Sequence, residues 1–449
     1  MVKRLLLLTA LIQSATLPTA YSTAGRSGPC NILASAGNPC VAAHSTVRAL
    51  YSEYAGPLYT VQRHISSNCS GGAFLENTDW HGDNEQTQLS VRNIEECCAA
   101  CAAQSGCNHF SLTHSSMQCY LKRGNRTPVP QVNVTAGYCT KGPTEAVNIS
   151  VLEAGGFADI AAHEKFCPTG DCVISVVFDQ SIEGNHLRQR ISDGVVHSMV
   201  NASLHKISVG GGTNHTRGTA AHVYGMWFEQ GDGYHIDVTR GVAIGNEPES
   251  MYAVMSGTHF NDKCCFDYGN SENTVTADGD YNAGAMEAIY FGNAHWKGNT
   301  ALGSGPWVGA DLEAGMYYGG GAQTVVNNAS RPLTSDFVSL HLKGLTNGFV
   351  LKGADATRGE FATMYNGLRP DPKLACCVTK TDTYQPMRKR GAIILGTGGD
   401  NSNLGVGTFY EGFMASGVTA DATDAAIQEN IVAVGYRTLA QKVPPSHPL

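Results

Sequence analysis

Charged side chains are scarce in this chain: Asp, Glu, Lys and Arg make up 15% of it, and the formal net charge is -8 with no basic run. Phosphate binding relies on clustered Lys and Arg, so nucleic acid is excluded as a partner. After the first dozen residues no apolar run approaches the ~20 residues of a spanning helix, and a released protein with no membrane contact is expected. None of the 16 histidines falls in an H-x-x-x-H or similar spacing, so neither a metal site nor a cofactor is expected. The glycine-rich GTGGDNSNLGVG is not followed by a helix whose N-terminus would hold a phosphate, which sets nucleotide binding aside.

What is plentiful points to a mainly β protein. Glycine, at 52 residues, favours short strands joined by tight turns over long charged helices. CVISVVFDQ, HVYGMWFEQG, MEAIYFG, DFVSLHLKG, GAIILGTGG and GTFYEGFM read as strands between Gly, Asn and Asp turns, the pattern of a sandwich or barrel. One helix is expected in TDAAIQENIVAVGYR, with Thr423 as its cap and Ile427, Ile431 and Val434 as its apolar stripe. KVPPSHPL reads as a disordered tail, about residues 441–449.

Lys3 and Arg4 precede an apolar run from Leu5 to Ile12, and small residues follow up to Ala24, the pattern of a secretory signal peptide over residues 1–24. Fifteen cysteines suit an oxidising compartment, and sequons at Asn68, Asn125, Asn133, Asn148, Asn201, Asn214 and Asn328 suit a secretory route. A secreted, extracellular protein is expected.

Cysteine spacing divides the chain. Seven cysteines lie between Cys69 and Cys139, the density of a small module that cannot build a sufficient apolar core. Within it SVRNIEECCAACAAQ reads as a helix capped by Ser90, with Cys97 and Cys101 on one face at i, i+4. GCNHFSL and QCYLK read as strands, so a helix cross-linked onto an antiparallel sheet is expected, with one thiol, Cys97 or Cys98, left over. The arrangement resembles the PAN/Apple family of disulfide modules, which implies a protein- or carbohydrate-binding insertion over residues 65–141.

Three segments carry candidate chemistry. GPWVGADLEAG, residues 305–315, reads as a strand on which Asp311 and Glu313 share a face while Ala310 and Leu312 turn away. Like charges that close raise each other's pKa and cost stability unless something uses them. GAIILGTGGDNSN, residues 391–403, reads as an apolar strand ending in a glycine-rich loop that delivers Asp400 at the strand mouth. NDKCCFDYGN holds adjacent Cys264 and Cys265, which close on each other, pair elsewhere, or bind metal, the last disfavoured by the absence of further ligands. Cys376 and Cys377 pose the same question without an answer.

These segments, together with GPCNILASAGNPCVAAHSTVRALYSEYAGPLYTVQR, GGFADIAAHEKFC, MEAIYFG and GTFYEGFM, resemble glycoside hydrolase family 54, the secreted α-L-arabinofuranosidases of filamentous fungi. The resemblance spans residues 28–63 and about 144–440. It implies a β-sandwich of the concanavalin or jelly-roll kind, formed by residues 25–64 and 142–440, that removes terminal arabinofuranosyl groups with retention of configuration. It further implies Glu313 as nucleophile, Asp400 as general acid/base, and Asp311 as a group that binds sugar hydroxyls with main-chain help around Ala314, Gly315 and Gly399. Cys264 and Cys265 would form a vicinal disulfide against the sugar ring with Trp296 nearby, and Cys30 with Cys40 and Cys167 with Cys172 would form short-loop disulfides. The implied partner is arabinose-containing plant cell-wall polysaccharide, met by a monomer.

Retaining hydrolysis needs an ionised carboxylate to attack the anomeric carbon and a protonated carboxyl about 5 Å away to serve the leaving oxygen. Glu313 and Asp400 supply one of each from separate segments. The chain departs from the family in having Ala314 where Asn is usual after the DLE glutamate. The family's C-terminal arabinose-binding β-trefoil finds no match in this sequence, from which weaker affinity for polymer is expected. Two other readings compete: a catalytically silent sugar-binding sandwich, and an adhesin-like protein acting through the cysteine module.

Overall fold

Alternating apolar residues between glycine and asparagine turns build two large sheets, seen here in a computed structural model. It describes residues 27–439 apart from 65–66, 70–73, 82–85, 104–106, 124–126, 142–143, 193–194, 211–219, 274–282, 296–297, 323 and 372–383. The expected signal peptide and tail, Trp296, Cys376 and Cys377 lie outside the described residues.

The sheet that carries the candidate site has ten strands, in the order Met316–Tyr317, Trp307–Asp311, Glu287–Gly292, Asp267–Ser271, Ala392–Leu395, Tyr234–Ile236, Leu187–Gln189, Val173–Val177, Pro57–His64 and Thr144–Ser150. A nine-stranded sheet packs against it, centred on Glu249–Phe260 and Gly407–Ser416. Between them Tyr268, Ile393 and Leu395 of the first sheet meet Met251, Phe409 and Phe413 of the second in one buried core. Tyr268 and Phe409 rings lie 5.3 Å apart across the gap, the separation of a well-packed aromatic pair. The mainly β sandwich is therefore as expected from the pattern.

Period-two alternation decides what the site strands present to each side. In Trp307–Asp311, Val308 and Ala310 enter the main core, whereas Trp307 joins a second cluster with Cys265, Tyr290, Met316 and Tyr318. Asp311 follows Trp307 in the alternation, so its carboxyl shares that second side.

Residues between Pro57–His64 and Thr144–Ser150 form a separate sheet that includes Gln86–Ser90, Cys107–Thr113, Gln118–Arg123 and Thr127–Lys141, with the helix Ile94–Ala103 packed on it. Disulfides Cys97–Cys119 and Cys101–Cys107 staple the helix to the sheet, while Cys98 remains a thiol. Its small core of Phe110, Leu112, Leu121 and half-cystines explains the dependence on cross-links. The helix begins later than its sequence suggests. Ser90 ends a strand, and Asn93 is the cap, its Oδ1 accepting from Glu96 N at 2.8 Å.

The C-terminal helix is also shifted. It spans Asp421–Val432, two residues ahead of the expected Thr423 cap, and Ala420 makes no side-chain cap bond. Tertiary ion pairs hold this end instead: Lys352 Nζ lies 2.7 Å from Asp421 and 2.6 Å from Asp424. Ile427 and Ile431 face the core as expected, and Val434 is buried just past the helix end. Among the described residues no helix is long and apolar enough to cross a membrane.

Candidate active site

Asp311 is the last residue of its strand, and the chain turns back at once to pair Asp311 with Met316 and Ala310 with Tyr317. The connection is a tight hairpin in which Leu312 N donates to Gly315 O at 3.1 Å. Glu313 and Ala314 occupy its tip with φ of 58° and 55°. Two successive residues in the left-handed region are the signature of a hairpin turn that ordinarily selects Asn and Gly. The expected strand through Glu313 is thus corrected: the strand stops at Asp311, and Glu313 is presented by the turn. What allows this is Asp311 itself, whose Oδ1 accepts from Glu313 N at 3.1 Å, an Asx-type turn. The two acids still end side by side, 3% and 5% exposed.

Asp400 arrives from the Ala392–Leu395 strand, which pairs with Asp267–Ser271 and whose bounds match the apolar AIIL run. In the loop that follows, Ser402 N donates to Asp400 Oδ1 at 2.9 Å, and Gly398 N to Ser402 O at 2.7 Å. A Cβ placed on Gly398 would lie 3.1 Å from both Asp400 Oδ1 and Cys265 Sγ, so the acid and the sulfur flank the same backbone. Cys264 and Cys265 are joined in a vicinal disulfide across a cis peptide bond. Cys265 Sγ lies 3.7 Å from Asp311 Oδ2, and Leu404 N donates to Cys264 O at 3.0 Å, tying the disulfide to both carboxylate segments. Among the described residues the donor cluster of metal size is Cys264, Cys265 and Asp311. With both sulfurs oxidised it offers a single carboxylate, which does not suit a thiolate-binding metal. Cys30–Cys40 and Cys167–Cys172 are also formed.

Three residues were not anticipated. Asp267, fully buried at the start of its strand, has its carboxyl against that of Asp311. Glu272, one residue past the same strand, is 6% exposed and meets the Glu313 carboxyl. Arg190 supports the loop from behind, its guanidinium donating to Gly398 O at 2.8 Å and Gly399 O at 2.6 Å. Asp267 had a legible signal in CCFDYGN, since Asp267 and Ser271 share a strand face. Glu272 and Arg190 had none, because their partners are remote in the chain.

The electrostatics follow from this crowding. Burial, reinforced by Glu272, Asp311 and Asp400, drives the Glu313 carboxyl well above the usual range. Asp267 is likewise raised well above its ordinary value by burial and by Asp311. Burial lifts Asp311 to about 7, with Asp400 and Glu272 adding to it while the Glu313 N–H pulls the other way. At neutral pH such a cluster holds some of its protons, so it presents carboxylate acceptors and carboxylic acid donors together.

Crowded carboxyls on one side of a twisted sandwich sheet, beside a vicinal disulfide, define a class of carboxylate-centred β-sandwich proteins. A sequence model of the family described as Alpha-L-arabinofuranosidase B, catalytic, matches residues 29–120 and 140–437, and the chain belongs to that family, glycoside hydrolase family 54. The match runs on through residues 65–120, inside the cysteine-rich segment. The chain is 38% identical over 413 residues to a probable alpha-L-arabinofuranosidase B of Aspergillus fumigatus, covering 92% of this chain and 63% of that protein. It is 37% identical over 437 residues to the alpha-L-arabinofuranosidase B of Emericella nidulans, covering 95% and 66%. The chain thus spans less than two thirds of these relatives' length. Among solved structures it is similar to an arabinofuranosidase complexed with arabinofuranosyl-α-1,2-xylobiose, at TM-score 0.66 and 33% identity over 94% of this chain and 68% of the other. A family 54 α-L-arabinofuranosidase soaked with a cyclic sulfate inhibitor gives the same values.

Proposed function

We propose that the chain is a secreted, retaining, exo-acting α-L-arabinofuranosidase that releases terminal arabinofuranosyl groups from arabinan or arabinoxylan. The observation that carries this reading is the gathering of Glu313 and Asp400, from separate segments, around one buried cluster beside the Cys264–Cys265 disulfide. Glu313 attacks the anomeric carbon and Asp400 donates a proton to the leaving oxygen; a water, deprotonated by Asp400, then releases the sugar. Asp311 binds sugar hydroxyls through bonds that strengthen as positive charge develops at the ring. Main-chain groups of Ala314, Gly315 and Gly399 complete the pocket, with the flat sulfur pair against the sugar face. Trp296 belongs to the same reading as an aromatic neighbour of the ring.

The test is hydrolysis of an aryl α-L-arabinofuranoside followed by NMR of the first-formed sugar. The α anomer is expected, together with loss of activity in Glu313→Gln and Asp400→Asn. Variants as active as the parent would overturn the assignment, and arabinose binding without product release would identify a silent sugar-binding sandwich instead. We assign the cysteine-rich segment to anchoring on wall polysaccharide. Equal retention of full-length and segment-deleted protein on insoluble arabinoxylan would count against that. Export is checked by the N-terminal sequence of protein collected from medium, expected to begin near Gly25.

A further inference from the structure

Asp400 stands directly after two glycines, and close packing leaves no alternative to them. A Cβ on Gly399 would lie 1.8 Å from Glu272 Oε2, an oxygen that Ser271 Oγ already holds at 2.8 Å. A Cβ on Gly398 would crowd Asp400 Oδ1 and Cys265 Sγ, each 3.1 Å away. Glycine is the least restrained backbone, so the segment that delivers the acid is also the one with most freedom to lose. The bonds from Gly398 N to Ser402 O and from Ser402 N to Asp400 Oδ1 lie within the loop and let it shift as a unit.

Arg190 supplies the external hold. It follows the Leu187–Gln189 strand, and its side chain reaches past Tyr234–Ile236 to the loop after Ala392–Leu395. Its Nη1 donates to Gly398 O at 2.8 Å and its Nη2 to Gly399 O at 2.6 Å. One rigid fork thus fixes two successive peptide planes, the second of which contains the Asp400 nitrogen. Arg190 is itself anchored: it is 4% exposed, its N donates to Gly233 O, and its O accepts from His197 N, both at 3.0 Å.

We propose that Arg190 is a positioning residue for Asp400, clamping the carbonyls of Gly398 and Gly399 so that the carboxyl stays where the leaving oxygen takes its proton. This rests on the assignment of Asp400 as general acid/base. Arg190 acts through the loop alone; it bonds to no sugar and gives up no proton. The proton that reaches the leaving oxygen, as the bond from Glu313 to the anomeric carbon forms, is that of Asp400.

A carboxyl moved by a fraction of an ångström to an ångström loses proton transfer first, and leaving groups differ in their need for it. Dinitrophenolate departs without a proton, whereas phenolate departs poorly unless it receives one. The experiment is kcat/KM on a series of aryl α-L-arabinofuranosides from 2,4-dinitrophenyl to phenyl, for the parent, Arg190→Met, Arg190→Lys, Asp400→Asn and the double variant Arg190→Met/Asp400→Asn. Arg190→Met is expected to lose about 10- to 100-fold more on the phenyl than on the dinitrophenyl substrate. Arg190→Lys keeps the charge but cannot span both carbonyls, so it shows the same selective loss at smaller size. In the Asp400→Asn background, Arg190→Met adds no further selectivity, because the group it positions is gone.

A merely structural role lowers the active fraction and reduces all substrates equally. An equal loss across the series in every folded Arg190 variant overturns the proposal, as does added selectivity in the double variant. If Arg190→Met does not fold, Arg190→Lys decides. An Asp400→Asn variant that loses equally on all substrates removes the acid assignment itself; a selective loss there, with an equal loss in the Arg190 variants, removes the role of Arg190 alone.

Discussion

The ten-stranded sheet buries acidic side chains in two places, and they are treated in opposite ways. Around Glu313, the carboxyls of Asp267, Asp311, Glu272 and Asp400 crowd together, and the guanidinium of Arg190 nearby donates to backbone carbonyls. On the Glu287–Gly292 strand, Glu287 is equally buried but lies 2.7 Å from Arg369 and 2.9 Å from Lys389. Glu249, reaching in from the opposite sheet, meets Lys389 at 2.8 Å and accepts from Asn270 Nδ2 at 3.1 Å. The outcome tracks the number of cations. Burial pushes all these acids up, yet Glu287, with two cations, ends below its ordinary pKa. Glu249, with one, is lifted to about 7, and Glu313, with none in contact among the described residues, goes well above its usual value. A buried acid whose partners are cations serves the scaffold, and the crowding of acids around Glu313 is what the proposed reading uses for chemistry.

One strand serves both places. In Asp267–Ser271, Asp267 faces the acid cluster while Tyr268 fills the core and Asn270 reaches Glu249, so the pleat itself separates the two places.

The largest expected effect falls on the uncompensated side. Glu313→Gln lowers kcat/KM on an aryl α-L-arabinofuranoside by about 10⁴-fold or more, while its urea midpoint equals or exceeds that of the parent because one source of repulsion is gone. The compensated side responds in the reverse sense. Lys389→Met strands Glu249 and Glu287 without their shared cation and lowers unfolding free energy by about 3–5 kcal/mol in urea titrations. The folded residue of Lys389→Met keeps its kcat. If Glu313→Gln proved as destabilising as Lys389→Met, the contrast between the two places would collapse.

A third effect is read in the pH dependence of stability. Asp311 has its folded pKa raised to about 7, so between its unfolded value near 4 and about 7 the folded state binds a proton that the unfolded state has lost. Stability contributed by that proton is present at low pH and disappears as pH rises through this window. Asp311→Asn therefore gains on the parent from pH 5 to pH 8 by a few kcal/mol at most, measured as the difference in unfolding free energy. Asp424, held at about 2 by His341, Lys343 and Lys352 against the cost of burial, slopes the other way: its contribution is present above pH ~4 and is lost as pH falls toward 2. The smallest expected effect is at the hairpin tip. Ala314→Asn places a residue that tolerates the left-handed region at φ 55° and stabilises the fold by about 0.5–1 kcal/mol in the same titrations.

How much of this was legible beforehand varies with the range of the interaction. The AIIL strand, the loop delivering Asp400 and the helix stapled through Cys97 and Cys101 were readable because local alternation and spacing determine them. Helix starts at Ser90 and Thr423 were misplaced because Asn93 and the Lys343 and Lys352 ion pairs, not the nearest hydroxyl, satisfy those ends. The pairing of Asp311 with Glu313 was anticipated for a strand, but a backbone hydrogen bond within the pair bends the chain into a turn instead. Glu272, Arg190 and the cations around Glu287 are contacts between remote segments, and no local pattern announces them.

The most direct test of the central claim is to treat the active protein with a cyclic sulfate of arabinofuranose configuration and to sequence the labelled peptide by mass spectrometry. A single adduct on Glu313 is expected, blocked by excess arabinofuranoside and absent from Glu313→Gln. An adduct on Glu272, Asp400 or Asp311 with Glu313 unmodified would contradict it.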